Sequence, residues 1–226
     1  MNMRSIQMPP KFIFVRHGEA THNVAFHISN DESVFLDKKY EDAPLTEEGV
    51  KQCQTTGKAL FSYRILDIWC SPLTRTIQTA EEIFEEVNCG QIYLHDNLLE
   101  KLGGGHICNQ RKDKSILKKK YEIWDTSFLP EFPPFAIERE STSVVHSRML
   151  MLILYLVELY KNYDNNSHIL IVSHHDAISC LTGKSLKNAE FFVSTLEEIV
   201  DTKSELPSKN ICVSNKQRTN ESFLLQ

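Results

Sequence analysis

Phe12-Ile13-Phe14-Val15-Arg16-His17-Gly18-Glu19 is the stretch on which the reading of this chain turns. Four consecutive aromatic and β-branched residues suit a short strand, and the run breaks off at once into a cation, an imidazole and a glycine. Further short apolar runs recur downstream. Ile65 to Cys70, Gln91 to Leu94 and His168 to Val172 each read as a strand, and Glu190 to Thr195 as one more. Amphipathic segments separate them. Thr46 to Phe61 sets Val50, Cys53, Leu60 and Phe61 near one helical face, with Thr46 as N-cap. Leu73, Ile77, Ala80, Phe84 and Val87 keep helical spacing behind Pro72, placed where a first-turn proline is tolerated. Residues 114–121 read as helical, and Ser141 to Tyr163 as a long, largely buried helix. Strands alternating with helices predict an α/β layered domain.

Composition bounds the rest. A chain of 226 residues, 41% hydrophobic and 24% charged, fits one globular domain, taken as residues 1–200, followed by a polar and mobile tail over residues 201–226. Met1 to Pro10 carries no apolar run of the length a secretory signal needs, and Met149 to Val157, the longest apolar stretch, is too short to span a bilayer. The expectation is a cytoplasmic protein with no membrane partner. A formal charge of −5 argues against a nucleic-acid partner. Six scattered cysteines without a C-x-x-C pair suggest neither a disulfide framework nor a zinc site. Oligomeric state is not readable. One basic cluster, Arg111, Lys112, Lys114 and Lys118 to Lys120, is either a solvated helix face or a lip that attracts an anionic substrate.

In open α/β sheets ligands bind at the carboxyl ends of the strands. Here the first strand ends in Arg16-His17-Gly18-Glu19, the second in Ser71-Pro72-Leu73-Thr74-Arg75, the third leads to Glu100, and the fourth ends in Ser173-His174-His175. If these strands are parallel neighbours, two imidazoles, two guanidiniums and a carboxyl group meet in one pocket. Guanidiniums match phosphate oxygens bidentately, and Arg75 falls in the first turn of a helix whose amino end also favours an anion. A neutral His can attack phosphorus, and a carboxyl group can protonate the departing oxygen. Singly, each of these residues has an ordinary structural reading; their joint order points to phosphoryl transfer.

At these motifs the sequence resembles the histidine phosphatase superfamily, also called phosphoglycerate-mutase-like, over about residues 12–195. Besides the first motif, the likeness rests on Asn23, on Pro44-Leu45-Thr46-Glu47-Glu48-Gly49 with Gln52, and on Ser71 to Ala80. Leu99-Glu100 and Val172-Ser173-His174 complete it. The resemblance implies a three-layer α/β/α sandwich around a mostly parallel sheet and no metal or organic cofactor. It implies His17 as phosphorylated nucleophile, Arg16, Arg75 and His174 as phosphate ligands, Glu100 as proton donor and Asn23 as an additional phosphate-pocket amide. His175 and Arg111 are the further substrate-binding candidates, while His22 and His27 are set aside as incidental and Glu19 is the fallback acid. The stretch Gly103 to Arg111 is similar to eukaryotic mutase-like phosphatases.

Three departures bear on activity. His175-Asp176 stands where many members have glycine after the second histidine, Lys101 stands where glycolytic mutases have arginine, and the loop between Asn23 and Leu45 is longer than theirs. The expected function is hydrolysis of a small phosphomonoester through phospho-His17. A phosphoglycerate-mutase-type isomerase and a weakly catalytic phospholigand-binding protein are the alternatives.

Overall fold

A computed structural model describes residues 8–201. In chain order the elements are β1 (Lys11–Arg16), α1 (Thr21–Ser29), α2 (Glu47–Leu60), β2 (Arg64–Cys70), α3 (Thr74–Phe84), β3 (Ile92–Leu94) and α4 (Lys114–Lys120). After them come α5 (Thr142–Leu159), β4 (Ser167–Ser173), α6 (His175–Thr182), β5 (Phe191–Ser194) and α7 (Leu196–Asp201). The strands form one sheet in the order β3-β2-β4-β1-β5, parallel throughout except for β5, which pairs antiparallel with β1.

Side-chain alternation along each strand supplies both faces of this sheet. Phe12, Phe14, Ile169 and Ile171 point to one side and pack with Met149, Leu152, Ile153 and Leu156 of α5 and Ile178 and Leu181 of α6. Ile13, Val15, Leu170 and Val172 point to the other and pack with Leu60 of α2 and Ile77, Ala80 and Ile83 of α3. Burial on both faces is why β1 and β4 read as continuous apolar runs rather than alternating ones. The outcome is the three-layer α/β/α architecture.

Several boundaries differ from the sequence expectation. Residues 21–29 are helical rather than part of a long loop; α1 has no side-chain cap of the usual kind at Ala20, and polar residues interrupt its apolar pattern. Pro72 lies outside α3, which starts at Thr74 behind Leu73. Leu73 cannot cap, and Asp42 from a distant loop does so instead, accepting from Thr74 N and Thr74 Oγ1, both at 2.8 Å. α5 ends at Leu159, four residues before Tyr163. Among the described residues α5 is the one helix long and apolar enough to cross a membrane, and its inward face belongs to the core. The expected tail lies outside the described residues except for Asp201, which ends α7.

Candidate active site

Strand register brings the first and fourth motifs together. Arg16 pairs with Ser173 and Cys70 with Val172, and the pattern continues past the strand ends: His17 N donates to Ser173 O (3.0 Å) and Ser71 N to Val172 O (3.0 Å). His17, Ser71 and His174 therefore leave the sheet side by side. The two imidazoles meet edge to face, centroids 5.2 Å apart, and His174 Nε2 lies 2.8 Å from Ser71 Oγ. The loop carrying His17 is held by the next motifs. A Cβ on Gly49 would stand 2.0 Å from Glu19 O, and one on Gly18 would stand 2.6 Å from both Gly49 O and Cys53 Sγ, so only glycines allow this approach of α2. Gly18 N donates to Thr79 Oγ1 (3.1 Å) and Glu19 N to Gln52 Oε1 (3.0 Å).

The nitrogens of His17 have distinct roles. Nδ1 lies 2.7 Å from Gly18 O, which can only accept, so Nδ1 carries the proton and Nε2 the lone pair. Arg75 Nε donates to that Nε2 at 3.3 Å. Burial, then the charges of Arg75 and Arg16, hold the imidazole pKa well below its usual value, so His17 is neutral at pH 7. A neutral imidazole is a competent nucleophile once the Arg75 Nε hydrogen turns from this lone pair to an oxygen of the anion.

Both guanidiniums are anchored. Arg75, the second residue of α3, donates to Cys108 O (2.7 Å) and Asn109 Oδ1 (2.9 Å), and Asn109 Nδ2 in turn donates to Lys101 O (3.1 Å). The chain reaches Cys108 through Gly103, Gly104 and Gly105, all at positive φ; at Gly103 a Cβ would stand 1.9 Å from Glu138 O. Arg16 donates through Nη1 to Leu186 O (2.8 Å), while its Nε is buried with no protein partner. His174 Nδ1 and His22 Nδ1 are buried and unpartnered too. Asn23 Nδ2 donates to His22 Nε2 (3.1 Å), which leaves the proton of His22 on Nδ1. Burial and the same two arginines push His22 down to about 2. Buried donors without acceptors are costly, and an anion's oxygens would relieve them.

Glu100 sits at the amino end of α6. Its Oε1 accepts from Lys101 N (2.8 Å) and Ala177 N (3.1 Å), and its Oε2 from Asp176 N (3.1 Å). Burial first, then the Asp176 charge, raises its pKa against the pull of these amides. Arg148, paired with Glu140 at 2.9 Å, also donates to Glu100 O (3.1 Å) and fixes the turn. Glu100, His17, Arg16 and Arg75 line one cavity of about 350 Å³.

The remaining candidates divide. Asn23 and His175 line this cavity; Asn23 Oδ1 also accepts from Ala20 N (3.0 Å), and Asp176 pairs with Arg139 (3.6 Å) rather than with His175. Arg111 does not reach it. Its side chain is fully buried against Asp96 (2.7 Å) and donates to Lys112 O, Pro130 O and Phe132 O, so it is a structural pillar and not a substrate ligand. Lys118, Lys119 and Lys120 lie exposed on α4, in keeping with a solvated face. Glu19 accepts from Thr46 Oγ1 (2.7 Å) and stands outside the cavity lining. His22, set aside from sequence, lines the cavity, whereas His27 is exposed. Phe26, Phe35, His106, Asn109 and Arg139 also line it, and sequence reasoning gave none of them a role. Among the described residues no group of three or more His, Cys, Asp or Glu is arranged to hold a metal ion.

The sequence model of the histidine phosphatase superfamily (branch 1) matches residues 12–195. A probable phosphoglycerate mutase GpmB of Proteus mirabilis (strain HI4320) is 32% identical over 168 residues, covering 74% of this chain and 70% of that protein. A probable phosphatase of Schizosaccharomyces pombe is 26% identical over 175 residues, covering 75% and 55%. In three dimensions the chain is similar to the ecdysone phosphate phosphatase from Bombix mori in complex with tungstate, with TM-score 0.58 and 12% identity over 81% of this chain and 88% of that one. It is also similar to a mycobacterial glucosyl-3-phosphoglycerate phosphatase complexed with VO3, with TM-score 0.57 and 18% identity over 81% and 90%. At those identities the likeness speaks to the fold.

Proposed function

Because the chain belongs to the histidine phosphatase superfamily, we propose that it hydrolyses a small phosphomonoester through a phosphohistidine on His17. The observation that carries this reading is the neutral His17, its Nε2 lone pair held beside Arg75, with the unpartnered buried donors Arg16 Nε and His22 Nδ1 on residues that line the same cavity and His174 packed edge to face behind it. Those donors take the phosphoryl oxygens, and Asn23 steadies His22. Nε2 attacks phosphorus, the P–O bond to the alcohol breaks, and protonated Glu100 gives its proton to the departing oxygen. In the second step Glu100, now a carboxylate, takes a proton from water, the resulting hydroxyl bonds to phosphorus, and the P–N bond breaks. Inorganic phosphate leaves and His17 is regenerated. Charge on the transferring group is met by fixed guanidiniums and imidazoles, so little reorganisation is needed at the moment of reaction. A cytoplasmic setting fits this chemistry.

Mutase chemistry remains the second reading, because relatives at about a third identity carry the name probable phosphoglycerate mutase. Both readings use the same nucleophile and differ in the acceptor. A panel of phosphorylated metabolites, with His17→Ala protein as blank, separates them: the proposal expects stoichiometric release of inorganic phosphate and alcohol. Recovery of a positional isomer of the ester without phosphate release would contradict it.

A further inference from the structure

The cavity that holds His17 has a second wall which phosphoryl transfer does not use. Phe26 comes from α1, Phe35 from the 3₁₀ turn Glu32–Leu36, and His106 from the loop after the glycine run. Their rings form a row. Phe26 and Phe35 have centroids 5.0 Å apart, and Phe35 and His106 stack at 5.2 Å with 23° between planes. His22 joins the row to the nucleophile, 6.2 Å from Phe35 and 6.2 Å from His17. Such a row offers an apolar, polarisable wall joined to the nucleophile through the ring of His22.

Charge on the same rim narrows what can lie there. Glu32 lines the cavity and repels anions, and Asp176 lines it with its charge offset by Arg139 at 3.6 Å. Beyond Arg16 and Arg75 the lining holds one more guanidinium, Arg139, and it is already committed: to Asp176 at 3.6 Å, to Lys101 O at 3.1 Å and to His106 Nδ1 at 2.8 Å. Burial and the Arg139 charge keep His106 neutral. Among the described residues, a substrate carboxylate or second phosphate would therefore meet the Glu32 carboxylate and, beyond the two arginines at the nucleophile, no lining cation without a partner of its own. Resting on the phosphohydrolase reading, we infer that the substrate is the phosphate monoester of an uncharged alcohol bearing a flat aromatic ring, stacked along Phe26, Phe35 and His106. Phosphorylated carboxylic acids and bisphosphates are disfavoured. The bond broken is the same P–O bond, so the product is the neutral alcohol. A cavity of about 350 Å³ accommodates a phosphate with a one- or two-ring group.

The test compares three esters that share an alkoxide leaving group: 2-naphthylmethyl phosphate, glycerol 3-phosphate and 3-phosphoglycerate, each with wild-type and Phe35→Ala full-length protein. The expected result is a kcat/KM for the naphthylmethyl ester at least about tenfold above the other two. Phe35→Ala should lower that constant about tenfold more than it lowers the glycerol 3-phosphate constant, mainly through KM, with Phe35→Tyr restoring it. Equal or better turnover of 3-phosphoglycerate, or equal losses on ringed and ringless esters, would overturn the inference. Binding of the non-hydrolysable 2-naphthylmethylphosphonate to wild-type and Phe35→Ala protein reads the wall without chemistry. Ring-selective binding with no ester turned over would sink the phosphohydrolase reading while supporting the wall; binding indifferent to Phe35 would sink the wall itself.

Discussion

At the carboxyl ends of β1, β2 and β4, side chains are positioned by strand register. His17 lies beside His174 because Arg16 pairs with Ser173, and Ser71 reaches His174 because Cys70 pairs with Val172. At the rim, Phe35, His106 and Arg139 are positioned by irregular backbone: a 3₁₀ turn, three glycines at positive φ and a loop stitched by single hydrogen bonds. The first region is buried and held by the regular ladder of parallel strands; the second is exposed in part and held by single side-chain and loop hydrogen bonds. On the proposed function, the reaction belongs to the sheet edge and the choice of substrate to the loops. Substitutions in the first region should change the chemical step, and those in the second should change which ester is accepted.

The sharpest probe of that division is Glu100→Gln. Loss of a general acid should slow phosphorylation of His17 by an alkyl phosphate roughly 10² to 10⁴ fold, and phosphorylation by a nitrophenyl ester far less, since that leaving group needs little protonation. The comparison is made on the first step by rapid quench. The pH profile follows the same residues. Burial raises the Glu100 pKa, so the acid form survives to higher pH than an ordinary carboxyl would, and kcat/KM for alkyl esters falls as pH rises through that raised value. His17 is depressed, so its loss by protonation moves to lower pH and leaves the active window wide on the acid side. In Glu100→Gln the alkaline fall should disappear. Equal losses for both esters would instead make Glu100 a cap of α6 and nothing more.

The cradle residues come next. Arg16→Lys or Arg75→Lys keeps the charge but removes the planar fork, and turnover should fall by about a hundredfold or more, measured as kcat/KM. Near wild-type rates in either variant would show that fixed guanidinium geometry is not what the sheet edge supplies.

Much of that edge is legible in the sequence because each catalytic candidate follows an apolar run directly, and Thr46 announces α2 with a cap one residue before its start. The supports are less legible. Arg75 is held by Cys108 O and Asn109, 33 and 34 residues away, and α3 is capped by Asp42, 32 residues upstream of Thr74. No local pattern encodes such contacts. α1 escaped notice because its start lacks a side-chain cap of the usual kind and His22 and Asn23, polar in sequence, face the cavity rather than solvent. Arg111 misled in the opposite sense. Beside a run of lysines it reads as a solvated charge or a substrate ligand, yet its partner Asp96, 15 residues earlier, draws it fully into the interior.

That correction gives the third test. Arg111→Ala leaves the half-buried Asp96 without its cation and Pro130 O and Phe132 O without their donor, and should cost about 2–4 kcal/mol of stability, read by denaturant melts. The kcat/KM of the folded fraction should stay within about threefold, since a group outside the cavity makes no contact with the reacting ester. A large rise in KM with stability intact would return Arg111 to the substrate site. The smallest effect belongs to α4: neutralising Lys118, Lys119 and Lys120 together should change little beyond the salt dependence of KM, as expected for exposed charges. A tenfold loss at low salt and at high salt alike would contradict the solvated-face assignment.

The measurement that bears most directly on the whole account is the identity of the covalent intermediate. After brief mixing with a labelled phosphomonoester and quenching in alkaline denaturant, the account predicts one phosphoryl group on His17, stable to base, lost in acid and absent from His17→Ala. Label recovered on a serine or an aspartate, or turnover undiminished in His17→Ala, would contradict it.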